Sequence, residues 1–168
     1  ADANKLPYDD ATFDVVCLSN SLHHLDNITS IFIEMRRVLR PNGIIIINEM
    51  VKDGLSKAQI SHRMLHHFSA EIDRRLQMTH NETYTKQEII EILSKINNLA
   101  INDHWEICFP EDGGQPSLKD IENMFQLVDR MISPTQEFTD KEYFTNKAEE
   151  IKNYIRENSY DSAPQFIF

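Results

Sequence analysis

The sequence predicts an α/β protein whose sheet opens with two parallel strands. Three observations point there. Two short runs, "VVCL" (Val15–Leu18) and "IIIIN" (Ile44–Asn48), lack polar alternation, as expected of strands covered on both faces. A segment with helical apolar spacing lies between them, and a strand–helix–strand connection returns the second strand parallel to the first. Beyond the second run the pattern changes to helical stripes, with strand-like segments only at "INDHWEICF" and "QFIF".

The elements follow in order. "YDDATFD" is a polar turn that leads into the first strand. After it, Asp26 or Asn27 can cap a helix by accepting backbone N–H groups. Ile28, Ile31, Phe32, Met35, Val38 and Leu39 form the helix's apolar stripe, and Arg36, Arg37 and Arg40 place positive charge in its last turns. Pro41-Asn42-Gly43 ends it and the second strand begins. Residues 54 to about 77 read as a long helix with Leu65, Phe68, Ile72 and Leu76 inward. Thr85 and Glu88 have the spacing of a capping box, opening a helix with Ile89, Leu93 and Ile96 inward. Ile101, Trp105, Ile107 and Phe109 share one parity of a strand, with Trp105 expected in the core, and "PEDGGQP" is a loop. Ser117 and Asp120 suggest a cap for a helix from Leu118 to about Ile132, ended by Pro134. Thr139 and Glu142 repeat that pattern before a helix to about Glu157. "QFIF" is the last strand.

Composition narrows the function. A chain of 168 residues with 27 acidic and 17 basic side chains carries a formal charge of −10. Its scattered basic residues offer no positive face for nucleic acid or anionic membrane. No apolar run is long enough to span a bilayer. Cys17 and Cys108 are far apart and have no zinc spacing, so both are expected as buried thiols in a reducing, cytoplasmic setting. The four glycines form neither G-x-G-x-x-G nor a P-loop. That argues against a nicotinamide oxidoreductase, since nothing here cradles a pyrophosphate.

Polar residues follow both apolar runs: Ser19-Asn20-Ser21 and Asn48-Glu49. In an open α/β sheet, ligands bind at the carboxyl ends of strands, where loops diverge and leave a crevice. A polar ligand lying across both ends fits this arrangement. Side-chain hydrogen bonds that simply turn the chain fit it as well. His62 and His66 stand at i and i+4 on the long helix without an obvious third ligand, so no metal is expected and a solvated face is the simpler reading. His80 and Tyr84 are candidate pocket-wall residues.

Five segments, in order and spacing, resemble class I S-adenosylmethionine-dependent methyltransferases. They are Asp2-Ala3, Leu6-Pro7-Tyr8, Phe13-Asp14-Val15-Val16, Leu22-His23-His24 and Arg37-Val38-Leu39-Arg40-Pro41-Asn42-Gly43. The likeness is greatest to the small-molecule branch that includes ubiquinone/menaquinone-type enzymes. Asn42 stands where that branch has glycine, and Asn tolerates left-handed backbone. The resemblance covers about Ala1 to Glu49. It implies S-adenosylmethionine as cofactor, with Asp2 and Ala3 reading adenine, Ser19 and Asn20 lining the methionine end, and His24 facing the transfer site with His23 packed beneath. A structural role at a helix start is the alternative for both histidines.

The resemblance also implies a partial Rossmann-like methyltransferase sheet, strands 4-5-7-6 of the family with flanking helices, because the family's glycine-rich loop and ribose-holding acid precede the Asp-Ala segment. Residues 1–168 would be a single partial domain. Residues 51–98 and 117–157 would be helical substrate-cap or insertion segments. The parent protein would methylate a small-molecule acceptor, while this chain alone would bind cofactor poorly and turn over nothing. A non-catalytic binding or assembly module is the alternative. The first strand, left as an edge, would invite a homodimer.

Overall fold

Phe13–Ser19 (β1) and Leu39–Met50 (β2) lie side by side and parallel, in register from Val15↔Ile44 to Ser19↔Asn48. The helix joining them is Ile28–Val38 (α1), capped by Asn27, whose side chain accepts from the Ser30 N–H at 3.1 Å. This computed structural model describes residues 2–97, 99–107 and 116–168. The other helices are Lys57–Arg75 (α2), Lys86–Ser94 (α3), Leu118–Met131 (α4) and Lys141–Asn158 (α5). Two short strands, Trp105–Ile107 (β3) and Gln165–Ile167 (β4), complete a sheet ordered β1-β2-β4-β3. β4 is antiparallel to both its neighbours.

The turn between α1 and β2 differs from the sequence reading. The helix stops at Val38 and β2 starts at once at Leu39, pairing with Phe13. The next pair is Val15↔Ile44, so residues 40–43 bulge out of the ladder. Asn42 takes the left-handed backbone expected of it, at φ 65. Gly43 is required for space: a Cβ there would sit 2.7 Å from Leu39 Cγ and 2.9 Å from the Asp14 carbonyl.

The contacts divide the chain into two units. One comprises Ala1–Val51, Tyr84–Ile107 and Gln165–Phe168 and holds the sheet with α1 and α3. Its core gathers Phe32 and Met35 from α1, Ile89 and Leu93 from α3, and Leu18, Ile47 and Phe166 from the sheet. These sheet residues share one face, and the period-2 alternation puts Val15, Cys17 and Ile44 on the other. That second face is open: Val15 is 46% and Ile44 57% exposed, and Cys17 is exposed too. Trp105 on β3 is 49% exposed. The expectation of buried Cys17 and Trp105 therefore fails, because α1 and α3 pack on one face only.

The second unit comprises Lys52–Thr83 and Cys108–Pro164. α2, α4 and α5 bury Leu65, Phe68, Ile72, Val128, Phe144, Ile151 and Ile155 together. Capping boxes at Thr85/Glu88 and Ser117/Asp120 form as read, and a third at Ser56/Gln59 went unread. α5 starts after Asp140 with no side-chain cap, so the Thr139/Glu142 pattern is not used. Leu76, expected inward, is 40% exposed beyond the end of α2. The histidines of α2 are not a solvated face: His62 Nδ1 accepts from the Ala163 N–H at 2.9 Å, and His67 Nε2 lies 2.8 Å from Thr83 Oγ1. Cys108, Phe109 and nearly all of "PEDGGQP" lie outside the described residues, as does Ala1.

Candidate functional site

The carboxyl ends of β1 and β2 are polar, and backbone hydrogen bonds lock them together. Ser19 pairs with Asn48 in the ladder, and Asn48 Nδ2 donates to Ser19 Oγ at 3.0 Å. The chain then turns sharply: Asn20 is left-handed at φ 45, and its N–H donates to the Asn48 carbonyl at 2.7 Å. Asn is among the few side-chain residues that adopt this conformation cheaply. Ser21 Oγ closes the turn by donating to the Ser19 carbonyl at 2.7 Å. Asn48 Oδ1 is buried and has no hydrogen-bond donor among the described residues.

Leu22–His24 form a single 3-10 turn, and Glu49 organises it. The Glu49 carboxylate is fully buried. Its Oε2 accepts from the Leu22 N–H at 2.8 Å, and its Oε1 accepts from His23 Nδ1–H at 2.8 Å and from the Met50 N–H at 3.2 Å. A buried carboxylate needs such donors. His23 is 1% exposed and packs beneath the turn. His24 is exposed, its ring 4.3 Å from that of His23. Tyr84, bridged to Val51, stands near this cluster, and burial together with the Glu49 charge raises its phenol pKa.

Asp2 and Ala3 attach at the start of α1. Asp2 Oδ1 accepts from the Asn4 N–H at 2.9 Å and from Asn4 Nδ2 at 3.1 Å, which lowers its pKa. Asn4 Oδ1 in turn accepts from Ser30 Oγ at 2.7 Å, in the first turn of α1. Ala3 packs on the core while the Asp2 side chain is exposed. Just behind, Arg37 binds the Leu6 and Tyr8 carbonyls at 3.2 and 2.8 Å, Asp10 at 2.7 Å and Glu34 at 2.7 Å. Glu34 also accepts from the Leu6 N–H at 2.7 Å. The Leu6-Pro7-Tyr8 and Arg37-Val38-Leu39 motifs are thus two halves of one clamp.

The structure therefore joins Ser19 and Asn20 directly, sets His24 one turn on, and ties Asp2 and Ala3 to the α1 end that follows that turn. Sequence reasoning placed Asn48-Glu49 at the tip of the second strand but did not foresee that Glu49 holds the Leu22–His24 turn. A cavity of about 890 Å³ in the sheet unit lies elsewhere, around Arg40, Gly43 and Ile44 at the opposite end of β2. It reflects the open sheet face and not the strand tips where ligands of such sheets bind.

Residues 1–47 match the family model described as "Methyltransferase domain". The sterol 4-C-methyltransferase strm-1 of Caenorhabditis elegans is 36% identical over 69 residues, which are 40% of this chain and 21% of that protein. The 27-O-demethylrifamycin SV methyltransferase of Amycolatopsis mediterranei (strain S699) is 43% identical over 51 residues, 30% of this chain and 19% of that one. The chain thus aligns with about a fifth of the length of each curated relative. Among solved structures, MccD protein superposes with a TM-score of 0.52 at 15% identity, covering 99% of this chain and 63% of that one. A Bacillus halodurans C-125 protein solved as a methyltransferase candidate gives 0.51 at 17% identity, covering 99% and 67%. These structural likenesses speak for the fold. The match to the methyltransferase-domain model is confined to residues 1–47.

Proposed function

We propose that the protein transfers a methyl group from S-adenosylmethionine to a small-molecule acceptor. The observation that carries this reading is the parallel β1–β2 pair, whose tips are cross-linked through Asn20 N–H and the Asn48 carbonyl at the end of the segment, residues 1–47, that matches methyltransferase sequence. The residues fit such a donor. Asn48 Oδ1 is a buried acceptor that no N–H of the described residues meets, while Ser19 Oγ accepts from Asn48 Nδ2 and the Asn20 N–H donates to the Asn48 carbonyl. Asp2 would accept from the adenine amine while an N–H of its turn donates to a ring nitrogen. When bound, the sulfonium supplies an electrophilic methyl group.

The chain's part is positioning, since in-line placement supplies most of the rate in such a reaction. Glu49 holds the turn that presents His24. A neutral imidazole there can take the proton that an oxygen or nitrogen acceptor releases. One curated relative's name specifies a carbon acceptor and the other's an oxygen, so the acceptor atom follows from neither. Membership of the ubiquinone/menaquinone-type branch rests on the motif residues alone.

We further infer that these 168 residues by themselves bind the donor weakly, because their four glycines do not spell a glycine-rich nucleotide-binding pattern. β1 lies at one margin of the sheet, and a second copy of this chain is one source of a strand to pair with it. The deciding experiment assays the complete protein with labelled methyl donor against a metabolite panel. Asn20→Ala and Asp2→Ala should each weaken donor binding about tenfold, the effect of losing one good hydrogen bond. Complete protein that shows no saturable donor binding would overturn the assignment.

A further inference from the structure

We propose that residues 159–163 form a pH-sensitive strap, latched onto α2 through His62. This goes beyond methyl transfer and does not depend on it. Three backbone groups of the strap dock on α2 over little more than one turn, from Ala58 to His62. The Ser159 carbonyl accepts from Ser61 Oγ at 2.7 Å, the Asp161 N–H donates to the Ala58 carbonyl at 3.1 Å, and the Ala163 N–H donates to His62 Nδ1 at 2.9 Å. Ser61 and Ala163 are fully buried. Alternate residues therefore face the helix, as in an extended strand. Beyond Ala163 the chain runs through Pro164 into β4, whose Ile167 pairs with Asn48 at the polar tip of β2.

Two features make this strap releasable. The first is strain. Ser159 follows α5 at φ 67 and ψ −167, a conformation essentially confined to glycine. The docked contacts hold a side-chain residue there. The second is that one of the three anchors titrates. The Ser61 hydroxyl and the Ala58 carbonyl keep their roles at any pH, whereas His62 Nδ1 accepts a hydrogen bond only while it carries no proton. Protonation would set an N–H against the Ala163 N–H. Burial holds this imidazole below its ordinary 6.5, and Asp161 of the strap opposes that. Tyr160 lies against the ring at 5.7 Å, and His66 stands one turn on in α2. The docked strap thus refuses a proton that the released strap admits. Docking is at full strength above pH 6.5 and weakens as pH falls below it. Acidification then frees the segment that leads into β4.

Hydrogen exchange of single backbone amides tests this in the complete protein, read by NMR from about pH 7.5 to about pH 5 and corrected for the intrinsic rate. Protection of the Ala163 amide should fall by up to about tenfold for each pH unit below 6.5, while Ile151 and Ile155 in α5 stay protected. His62→Asn sets an acceptor oxygen where Nδ1 stands and takes up no proton. It should keep Ala163 protected and flatten the profile. His62→Ala should leave Ala163 weakly protected at every pH. Ser159→Gly removes the strain at some cost in chain entropy and should raise Ala163 protection about threefold. Constant Ala163 protection across this range in the parent, or an unchanged pH dependence in His62→Asn, would overturn the proposal. An Ala163 amide that opens only together with α5 would overturn it too, since the strap would then have no motion of its own.

Discussion

Glu49 Oε1 lies 2.8 Å from His23 Nδ1, and both side chains are sealed from solvent. They stand 26 positions apart in the chain, so this contact exists only once β1 and β2 have paired. Removing one partner of a buried pair strands the other, which costs about 3–5 kcal/mol. Glu49→Ala should therefore lower unfolding free energy by about that amount in urea titrations. Glu49→Gln, which can still accept from the Leu22 N–H, should lose less, about 1–3 kcal/mol. A double-mutant cycle with His23→Ala should show strong coupling. Additive effects would mean that the two side chains do not support each other.

Gly43 makes the second prediction. A methyl group there meets the Leu39 side chain at 2.7 Å and the Asp14 carbonyl at 2.9 Å. The carbonyl belongs to β1 and cannot swing away as a side-chain end can. Gly43→Ala should cost about 1–3 kcal/mol by overpacking. Gly54 is the reverse case: its surroundings are open but its φ is +71. Gly54→Ala should cost only the left-handed strain, about 1 kcal/mol. Equal unfolding midpoints for Gly43→Ala and the parent would contradict the tight packing at the bulge.

How much was legible beforehand follows from the kind of signal. The parallel pair, α1 with its Asn27 cap, and the left-handed Asn42 were readable because period, capping and turn chemistry are local. Ser19 and Asn20 were readable as strand-tip residues for the same reason. Exposure of Cys17 and Trp105 was not, because an apolar run records what a strand can bury and not what covers it. The roles of Glu49 and Arg37 were hidden for a different reason. Each reaches partners 26 or more positions away, and no periodicity encodes such a contact.

The Glu34–Arg37 clamp predicts an acid-sensitive step. Hydrogen bonds from Arg37 and then from the Leu6 N–H pull the Glu34 carboxyl from 4.5 down to about 2. A carboxylate with a lowered folded pKa stabilises the fold above its unfolded value, and that contribution fades as pH falls through the folded one. Stability should thus decline between about pH 4.5 and pH 2 as the Leu6–Asp10 segment loses its anchor. Glu34→Gln should flatten the thermal midpoint across that window and lower it at pH 7. A midpoint profile identical in Glu34→Gln and parent would show that the clamp bears no load.

His67 on α2 predicts a second pH step, in a separate window. Burial is the main cause that draws its imidazole from 6.5 down to about 4; Glu82 opposes this, while Arg63, Lys52 and Arg74 reinforce it. Between those values the unfolded chain binds a proton that the folded chain refuses, so stability rises with pH through the window. Above pH 6.5 the contribution is complete, and it is lost as pH falls toward 4. Thr83 contributes by engaging the unprotonated Nε2. Following the His67 ring resonances by NMR should place its midpoint near 4, well below a histidine in water. His67→Gln, which can still accept at that position, should remove the stability change between pH 6.5 and 4 but leave the Glu34 step in place. An imidazole that titrates near 6.5 in the folded protein would show that the ring is solvated, and the stabilisation assigned to its burial would go with it.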